Sequence, residues 1–251
     1  MTIRILDTFS GIGGFSYAAE QLLTGFETVQ FVEWNPFCQQ VLSKHWPSVP
    51  IHDDISTYRP ELGSADLICG GFPCQDISVA GKQAGIKEGT RSGLFFELIR
   101  VIRAVRPKYV VLENVAAIVS QGLDTVLGSL AEAGYDTEWA CIPARDVGAV
   151  HKRDRWWLIA YPNGTGTQGQ RPERELSETQ GQKPIVWRPC DLETRVGSDW
   201  RSYLSEPLLC RGDDGLSGRV DRLTALGNSI VPQVAAVVLS RVLEIDSNAK
   251  A

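Results

Sequence analysis

The sequence has no pair of cysteines spaced C-x-x-C, although its 251 residues include six cysteines. A structural zinc site usually needs such pairs, so we expect no metal. No apolar run approaches the length of a membrane span, and no export signal precedes the first predicted strand. These absences predict reduced thiols, a cytoplasmic location and no association with a membrane.

An excess of positive charge is also lacking, because the net charge is -5 at pH 7. Affinity for nucleic acid comes largely from Lys and Arg on phosphates, so the overall charge argues mildly against such a partner. The charge is uneven, however, and one stretch that begins soon after Cys74 holds seven basic residues against Glu88 and Glu97. Its basic residues are Lys82, Lys87, Arg91, Arg100, Arg103, Arg106 and Lys108. We expect this stretch to supply positive charge near the active site.

Predicted strands and helices alternate along most of the chain. This alternation predicts an α/β fold with a doubly wound, mostly parallel sheet. The predicted strands are 3–8, 29–33, 65–69, 109–112 and 156–160, and the predicted helices are 11–24, 36–45, 94–105, 123–133 and 231–243.

The composition changes at Pro162. From there to about residue 200 apolar residues are sparse, and Gly, Gln, Glu, Thr and Pro dominate. Such a segment cannot bury much of a core by itself. We therefore predict a main domain at 1–161, a small loop-rich insert at 162–218 and a C-terminal segment at 219–251 that returns to the main domain, with a frayed tail from residue 247.

Two predicted strands end in groups that suit chemistry on one substrate. Pro73-Cys74-Gln75 follows the apolar run 65–72, and Glu113-Asn114 follows the run 109–112. Ligands of open α/β sheets bind at the carboxyl ends of the strands, so a nucleophile and an acid would meet there. A lone cysteine is most often a small buried hydrophobe, and a lone glutamate after a strand is usually a helix cap or solvated. The combination therefore carries the prediction.

A glycine-rich segment, Phe9-Ser10-Gly11-Ile12-Gly13-Gly14, follows the first predicted strand. Glycines let the backbone approach a ligand closely, and the N-terminus of the next helix favours polar groups. Glu33, at the end of the following strand, is placed to accept hydrogen bonds from ribose hydroxyls. The dinucleotide fingerprint requires a third glycine where this chain has Ser16, which disfavours a nicotinamide site.

The order of these motifs resembles that of the DNA cytosine-5 methyltransferases, over roughly residues 3–161 and 219–240. The motifs are Asp7-Thr8-Phe9-Ser10-Gly11-Ile12-Gly13-Gly14, Glu33-Trp34, Asp54-Ile55, Gly71-Phe72-Pro73-Cys74-Gln75, Glu113-Asn114-Val115, Arg153-Asp154-Arg155 and Gly227-Asn228-Ser229-Ile230-Val231-Pro232. The resemblance implies a Rossmann-like fold of the kind that uses S-adenosylmethionine, with the insert as target-recognition region. It also implies double-stranded DNA as partner, in a prokaryotic cell or a phage-infected host, and we expect a monomer.

The resemblance also implies roles for individual residues. Catalytic roles fall to Cys74, Glu113, Arg153 and Arg155. The substrate-binding residues would be Gln75, Ser78, Lys82 and Asn114, and residues 75–93 would form a lid over the flipped base. The cofactor-binding residues would be Phe9, Ser10, Gly11, Ile12, Gly13, Gly14, Glu33, Trp34, Asp54, Ile55, Pro73, Leu94, Asn228 and Ser229. Core packing is an equal alternative for Trp34, and Asp53 is an alternative to Asp54.

The chemistry follows from the poor nucleophilicity of cytosine C5. A Cys74 thiolate that adds at C6 makes C5 reactive, and Glu113 relieves the charge at N3 by donating a proton. Arg153 and Arg155 would favour the thiolate or stabilise the adduct, although a solvated basic face is their other interpretation. The target base lies inside a stacked duplex, so it must be flipped out.

Two departures from the family pattern stand out. His151 occupies the position where the family usually has Gln, and only 219–223 remains of the motif before Gly227. The alternatives are an RNA cytosine-5 methyltransferase, which Gln75 does not support, and a nicotinamide-dependent oxidoreductase, which leaves Cys74 and Glu113 without a role. A catalytically dead nucleic-acid-binding relative is a third, against which the intact catalytic residues argue.

Overall fold

The computed structural model describes residues 2–73, 93–164 and 225–248. The strands of this part are β1 (Ile3–Thr8), β2 (Phe26–Val32), β3 (Ile51–His52), β4 (Leu67–Gly71), β5 (Tyr109–Val115), β6 (Tyr135–Pro143) and β7 (Asp154–Pro162). The α-helices are α1 (Gly14–Tyr17), α2 (Pro36–His45), α3 (Leu94–Val105), α4 (Ile118–Gln121), α5 (Leu123–Glu132) and α6 (Pro232–Asn248). A π-helical turn (Ala18–Leu22) continues α1, and a 3₁₀ helix (Ala144–Val147) follows β6.

The seven strands form one sheet in the order β3-β2-β1-β4-β5-β7-β6. The first five are parallel, whereas β7 runs antiparallel to both β5 and β6. The predicted α/β fold with a mostly parallel sheet is therefore confirmed. The strand order reverses between β1 and β4, and ligands of such sheets bind outside the carboxyl ends of the strands at this point.

Helices cover both faces of the sheet, and each face has its own core. Strand β7 shows the division, because Trp157 and Ile159 join the core under α1 and α6, whereas Trp156 and Leu158 join the core under α3 and α5. Both tryptophans are almost completely buried. Apolar side chains on both faces explain why the inner strands read as continuous apolar runs rather than as alternating patterns.

Helices α2 and α3 match their predicted bounds because local signals define their ends. The Asn35 side chain accepts hydrogen bonds from the amides of Phe37 and Cys38, with Pro36 in the first turn, which is a strong N-cap. Helix α3 ends at Arg106, which has a φ of 55° and precedes Pro107. Proline cannot continue a helix, so the end of α3 is defined by the sequence.

Other elements were missed or misplaced. The sequence pattern did not predict β3, α4 or the long strand β6, which lies at the edge of the sheet and has alternating polar residues. The first predicted helix is divided into a short α-helix and a π-helical turn. Helix α6 continues to Asn248, so the tail predicted from residue 247 starts too early. The predicted insert lies outside the described residues except for residues 162–164, so the domain division stays a prediction.

One helical stretch, residues 225–248, is long and apolar enough to cross a membrane by length and composition alone. The expectation that no segment approaches that length was therefore wrong. Val234, Ala235, Val238 and Leu239 of this stretch are buried against the sheet and α1. This is the position of a core helix in a globular fold.

Candidate active site

The glycine-rich segment turns sharply after β1, at the reversal of the strand order. Phe9, Gly11 and Gly13 all have positive φ angles, of 51°, 54° and 84°. A Cβ at Gly11 would meet nothing within 4 Å, so its backbone is open to the cleft, whereas one at Gly13 would lie 2.6 Å from the Trp46 ring. The two glycines thus serve different purposes, ligand approach and internal packing.

Glu33 follows β2 and ties the glycine-rich segment in place. Its Oε2 accepts a hydrogen bond from the Gly11 amide at 2.6 Å, and its Oε1 accepts one from the Asn35 amide at 2.7 Å. The residue is 9% exposed. A carboxylate has about four acceptor sites, so both oxygens retain capacity for ribose hydroxyls.

The residues predicted to surround an adenine lie beyond β2 and β3. Trp34 is 76% exposed, so the alternative of core packing is wrong. The Ser56 amide donates to Asp54 Oδ1 at 2.8 Å. Hydrogen bonds from the Ser56 side chain and then from its backbone hold the pKa of that carboxyl below its ordinary value. Asp53 is exposed, and Ile55 is buried. The structure thus leaves the Trp34 ring accessible, while Asp54 stabilises a turn.

Glu113 lies at the end of β5 and forms an ion pair across the sheet. Its Oε1 is 3.0 Å from Arg155 Nε, and its side chain is 12% exposed. Burial raises the pKa of Glu113 to about 7, against the opposing charges of Arg155 and Arg153. A Cβ at Gly71 would lie 2.9 Å from Glu113 Oε2, so the absence of a side chain there makes room for the carboxylate. A carboxyl with a pKa near neutrality is suited to general acid chemistry.

Asn114 holds the chain segment that leads to the predicted nucleophile. It is buried, and its amide nitrogen donates to the Phe72 carbonyl at 3.2 Å. Pro73 follows and is described, whereas the predicted residues Cys74, Gln75, Ser78 and Lys82 lie outside the described residues, as does the predicted lid except Gly93. One contact of Asn114 is thus with the segment that precedes the predicted nucleophile, and its Oδ1 accepts from the Val115 amide at 2.8 Å.

Arg153 makes contacts that the sequence did not suggest. Its Nη2 donates to the backbone carbonyls of Gly227, at 3.0 Å, and Ser229, at 2.6 Å. Arg155, two residues on, faces Glu113 instead. His151 is exposed. The two arginines of one motif therefore point to different parts of the site.

These elements enclose a cleft of about 350 Å³, counting the part open to solvent. The cleft lies outside the carboxyl ends of β1 and β5, which is where ligands of open α/β sheets bind. Its predicted lining residues are Phe9, Ser10, Gly11, Ile12, Gly14, Glu113, Asn228 and Ser229, and the additional ones are Phe15, Gly71 and Ile230. The other predicted cofactor residues, Gly13, Glu33, Trp34, Asp54, Ile55, Pro73 and Leu94, are not in the lining of this cleft. No Lys or Arg belongs to its described lining.

The basic stretch 82–108 is only partly placed as expected. Arg100 donates to the carbonyls of Ile55, at 2.6 Å, and Tyr58, at 2.9 Å. Arg106 donates to the Ala133 carbonyl and lies at the amino-terminal edge of β5, opposite the cleft. Arg103 pairs with Glu132. Arg106 therefore supplies no charge near the cleft, whereas Arg100 contacts the backbone of the predicted cofactor residue Ile55, and the expectation for the whole stretch stays a prediction.

A buried acid beneath the glycine-rich segment was also missed as a site feature. Asp7 is fully buried, its Oδ2 accepts from the Ser16 hydroxyl at 2.8 Å, and it faces Cys69 across the β1–β4 pair. Burial raises its pKa to about 7. The sequence signal was the polar residue Asp7 inside an apolar strand, paired with Ser16 where a glycine was expected.

The sheet order and the cleft define an α/β protein with a small-molecule site next to a paired carboxyl group. Residues 3–206 match the family model of the C-5 cytosine-specific DNA methylases, and the chain belongs to this family. The resemblance to the DNA cytosine-5 methyltransferases, which rested on the order of the motifs, is therefore confirmed.

Relatives of this chain are longer than the chain itself. It is 34% identical over 170 residues to the type II methyltransferase M.HhaI of Haemophilus parahaemolyticus, covering 66% of this chain and 51% of that one. It is 29% identical over 228 residues to M.MspI of Moraxella sp, covering 88% of this chain and 52% of that one. The chain thus spans about half the length of the curated relatives it matches.

Solved structures share the fold. S. pombe Dnmt2 methyltransferase matches with a TM-score of 0.53 at 20% identity, over 74% of this chain and 52% of that one. A putative DNA modification methyltransferase encoded within an E. coli prophage matches with a TM-score of 0.52 at 22% identity, over 74% and 53%. At these identities the likeness supports the methyltransferase fold alone.

Proposed function

We propose that this protein is a DNA (cytosine-5-)-methyltransferase, which transfers a methyl group from S-adenosylmethionine to C5 of a flipped-out cytosine in double-stranded DNA. The observation that carries the proposal is Glu113. It is a nearly buried carboxyl with a pKa of about 7, it is paired with Arg155, and it lines the cleft beside Gly71, at the end of the strand that leads to Cys74.

The cleft suits S-adenosylmethionine better than a dinucleotide. Glu33 provides carboxylate oxygens for ribose hydroxyls, and Gly11 leaves its backbone open to a ligand. No Lys or Arg belongs to the described lining, so no cationic side chain there would pair with a pyrophosphate. Phe9 and the exposed Trp34 ring would contact the adenine. When bound, this cofactor supplies an electrophilic methyl group.

The residues of the chain supply the rest of the chemistry. The Cys74 thiolate forms a bond to C6, and Glu113 delivers a proton to N3, so that the electron pair of the C5–C6 double bond is released toward C5. Once C5 carries the methyl group and S-adenosylhomocysteine has been released, a base would remove the C5 proton, the C6–S bond would break to return the thiolate, and N3 would return its proton to Glu113. Arg155 keeps Glu113 oriented and stabilises its anion once the proton has left.

The proposed partner is DNA. We propose that basic residues outside α3 contact its phosphates. Arg100, Arg103 and Arg106 are engaged within the main domain. Lys82, Lys87 and Arg91, which follow Cys74 in sequence, and the target-recognition insert at 162–218 are the proposed DNA-contacting segments. We propose that the protein acts as a monomer in the cytoplasm of a prokaryotic or phage-infected cell.

The test is a duplex that carries 5-fluorocytosine in place of cytosine. Cys74 adds to C6 and the methyl group transfers, but fluorine cannot leave C5 as a cation. A covalent protein–DNA species should therefore persist on a denaturing gel, depend on S-adenosylmethionine and be absent in Cys74→Ala.

Digestion of methylated duplex DNA to nucleosides supplies the companion measurement, with 5-methylcytosine as the expected product. Methylated RNA with unmodified DNA would favour the RNA enzyme instead. An enzyme that methylates cytosine but forms no fluorocytosine adduct would rule out attack at C6.

A further inference from the structure

The C-terminal turn, residues 227–230, closes one side of the cleft. Asn228, Ser229 and Ile230 all line the cleft. Ile230 packs directly on the glycine-rich segment, because a Cβ at Gly14 would lie 2.6 Å from Ile230 Cγ1. The turn comes from a distant part of the sequence, so its position over the cleft depends on contacts with the main domain.

Arg153 provides the polar contact that holds this turn. Its Nη2 donates to the carbonyls of both Gly227 and Ser229, at 3.0 and 2.6 Å. Hydrogen bonds from a charged donor are stronger than neutral ones. These two bonds bridge separations of 74 and 76 residues along the chain. One side chain next to the start of β7 thus holds the backbone carbonyls on either side of Asn228.

The backbone of Arg153 supports this interpretation. Its φ is 35°, in a region that residues other than glycine rarely adopt. Such a conformation persists where the surrounding structure imposes it, and it is concentrated at functional sites. Here the strained residue is the one whose side chain contacts the turn.

Arg155, two residues further along the chain, contacts the proposed catalytic acid instead of the turn. Arg155 Nε lies 3.0 Å from Glu113 Oε1, and this is the direct ion pair of the proposed catalytic acid. Arg153 acts on Glu113 only through its charge, as the second of two cations that lower the pKa of that carboxyl. Its hydrogen-bonding group is directed to the turn, not to the acid.

We propose that Arg153 is a positioning residue that holds the C-terminal turn closed over the cofactor cleft. We call the two hydrogen bonds from Arg153 to the carbonyls of Gly227 and Ser229 the clasp. The identity of the ligand rests on the proposed function, whereas the clasp rests on these two contacts. Through Ile230 and Gly14, the same clasp connects the start of β7 to the glycine-rich segment. Arg153 therefore determines how tightly the cofactor is held, and Arg155 determines the state of the acid.

The experiment compares Arg153→Met and Arg153→Lys with Lys152→Met as matched control, since Lys152 is an exposed neighbour that pairs with Asp154. Calorimetry measures S-adenosylmethionine binding without DNA. We expect Arg153→Met to weaken binding about tenfold, equivalent to about 1.4 kcal/mol. The lysine variant, which keeps a charged donor, should be intermediate, and the control should bind like wild type.

A second measurement needs no cofactor. The Ser229 amide donates to the Ala225 carbonyl at 2.9 Å, so its hydrogen exchange reports on the order of the turn. We expect exchange about tenfold faster in Arg153→Met, with an unchanged midpoint of global unfolding. Arg153→Gln, which keeps N–H donors without the charge, replaces the methionine variant if that protein does not fold.

The outcomes separate the two proposals. Wild-type binding and exchange in the uncharged variant, or equal losses in Lys152→Met, would overturn the clasp. A wild-type protein that binds no S-adenosylmethionine would contradict the proposed function, while the exchange measurement would still decide the role of Arg153.

Discussion

Asp7→Asn tests the buried carboxyl group beneath the glycine-rich segment. Asp7 is fully buried, its Oδ2 accepts from Ser16, and its Oδ1 has no hydrogen-bond partner among the described residues. Burial, with a smaller contribution from the charge of Glu33, raises its pKa from 3.8 to about 7. The protonated form is thus favoured in the folded chain.

The sign and size of the effect follow from linkage. A carboxyl whose pKa is higher in the folded chain stabilises the fold below its unfolded pKa, and this contribution is lost as the pH rises through the folded pKa. A shift of about three units at 1.36 kcal/mol each corresponds to a loss of about 4 kcal/mol between about pH 4 and pH 8. Asparagine does not ionise, so the stability of Asp7→Asn does not fall with pH in this way.

Urea unfolding at pH 5, 6, 7 and 8 measures the pH-dependent loss of stability that Asp7 causes. Asparagine places an amide where Asp7 Oδ1 has no partner, so the variant starts with a constant penalty of about 1–3 kcal/mol. We expect the stability of Asp7→Asn relative to wild type to rise steadily with pH over this range. Asp53→Asn, at an exposed aspartate, is the control. A difference between Asp7→Asn and wild type that stays constant with pH would refute the reasoning.

Three further predictions concern the site and the domain division. Glu113→Gln should lose most but not all methyl transfer, since an amide still donates to N3; the loss of activity that we expect in wild type above the Glu113 pKa of about 7 should disappear, and an unchanged pH profile would contradict this. Gly13→Ala should destabilise the fold by about 1–3 kcal/mol more than Gly11→Ala in urea unfolding, because only Gly13 contacts Trp46; equal losses would contradict this. Replacing residues 164–207 by a Gly-Ser linker should leave a folded protein that binds cofactor in calorimetry but no longer distinguishes its DNA site, and retained specificity would show that the division is wrong.

Much of the fold could be predicted because its elements carry local signals. Asn35-Pro36 begins α2, Pro107 follows the end of α3, and apolar runs mark the inner strands. Strand β6 was not predicted because it lies at the edge of the sheet and part of its surface is exposed. Its hydrophobic pattern is therefore weak when it is read without its partner β7. The division of the first helix into a short α-helix and a π-helical turn was not predicted. A π-helical turn differs from an α-helix in its hydrogen bonds, not in its composition.

The sequence alone determined the family, the order of the motifs and the two strand ends that face one crevice. Chemistry-bearing residues follow apolar strands in a parallel sheet, and parallel strands place their carboxyl ends together. Which side chains meet there was decided by tertiary structure. The β5–β7 pairing brings Arg155 to Glu113, and the return of the chain to residues 227–230 brings two carbonyls to Arg153. These contacts depend on the direction of single side chains across distant segments, and burial, which sets the pKa values of Asp7 and Glu113, exists only in the packed protein.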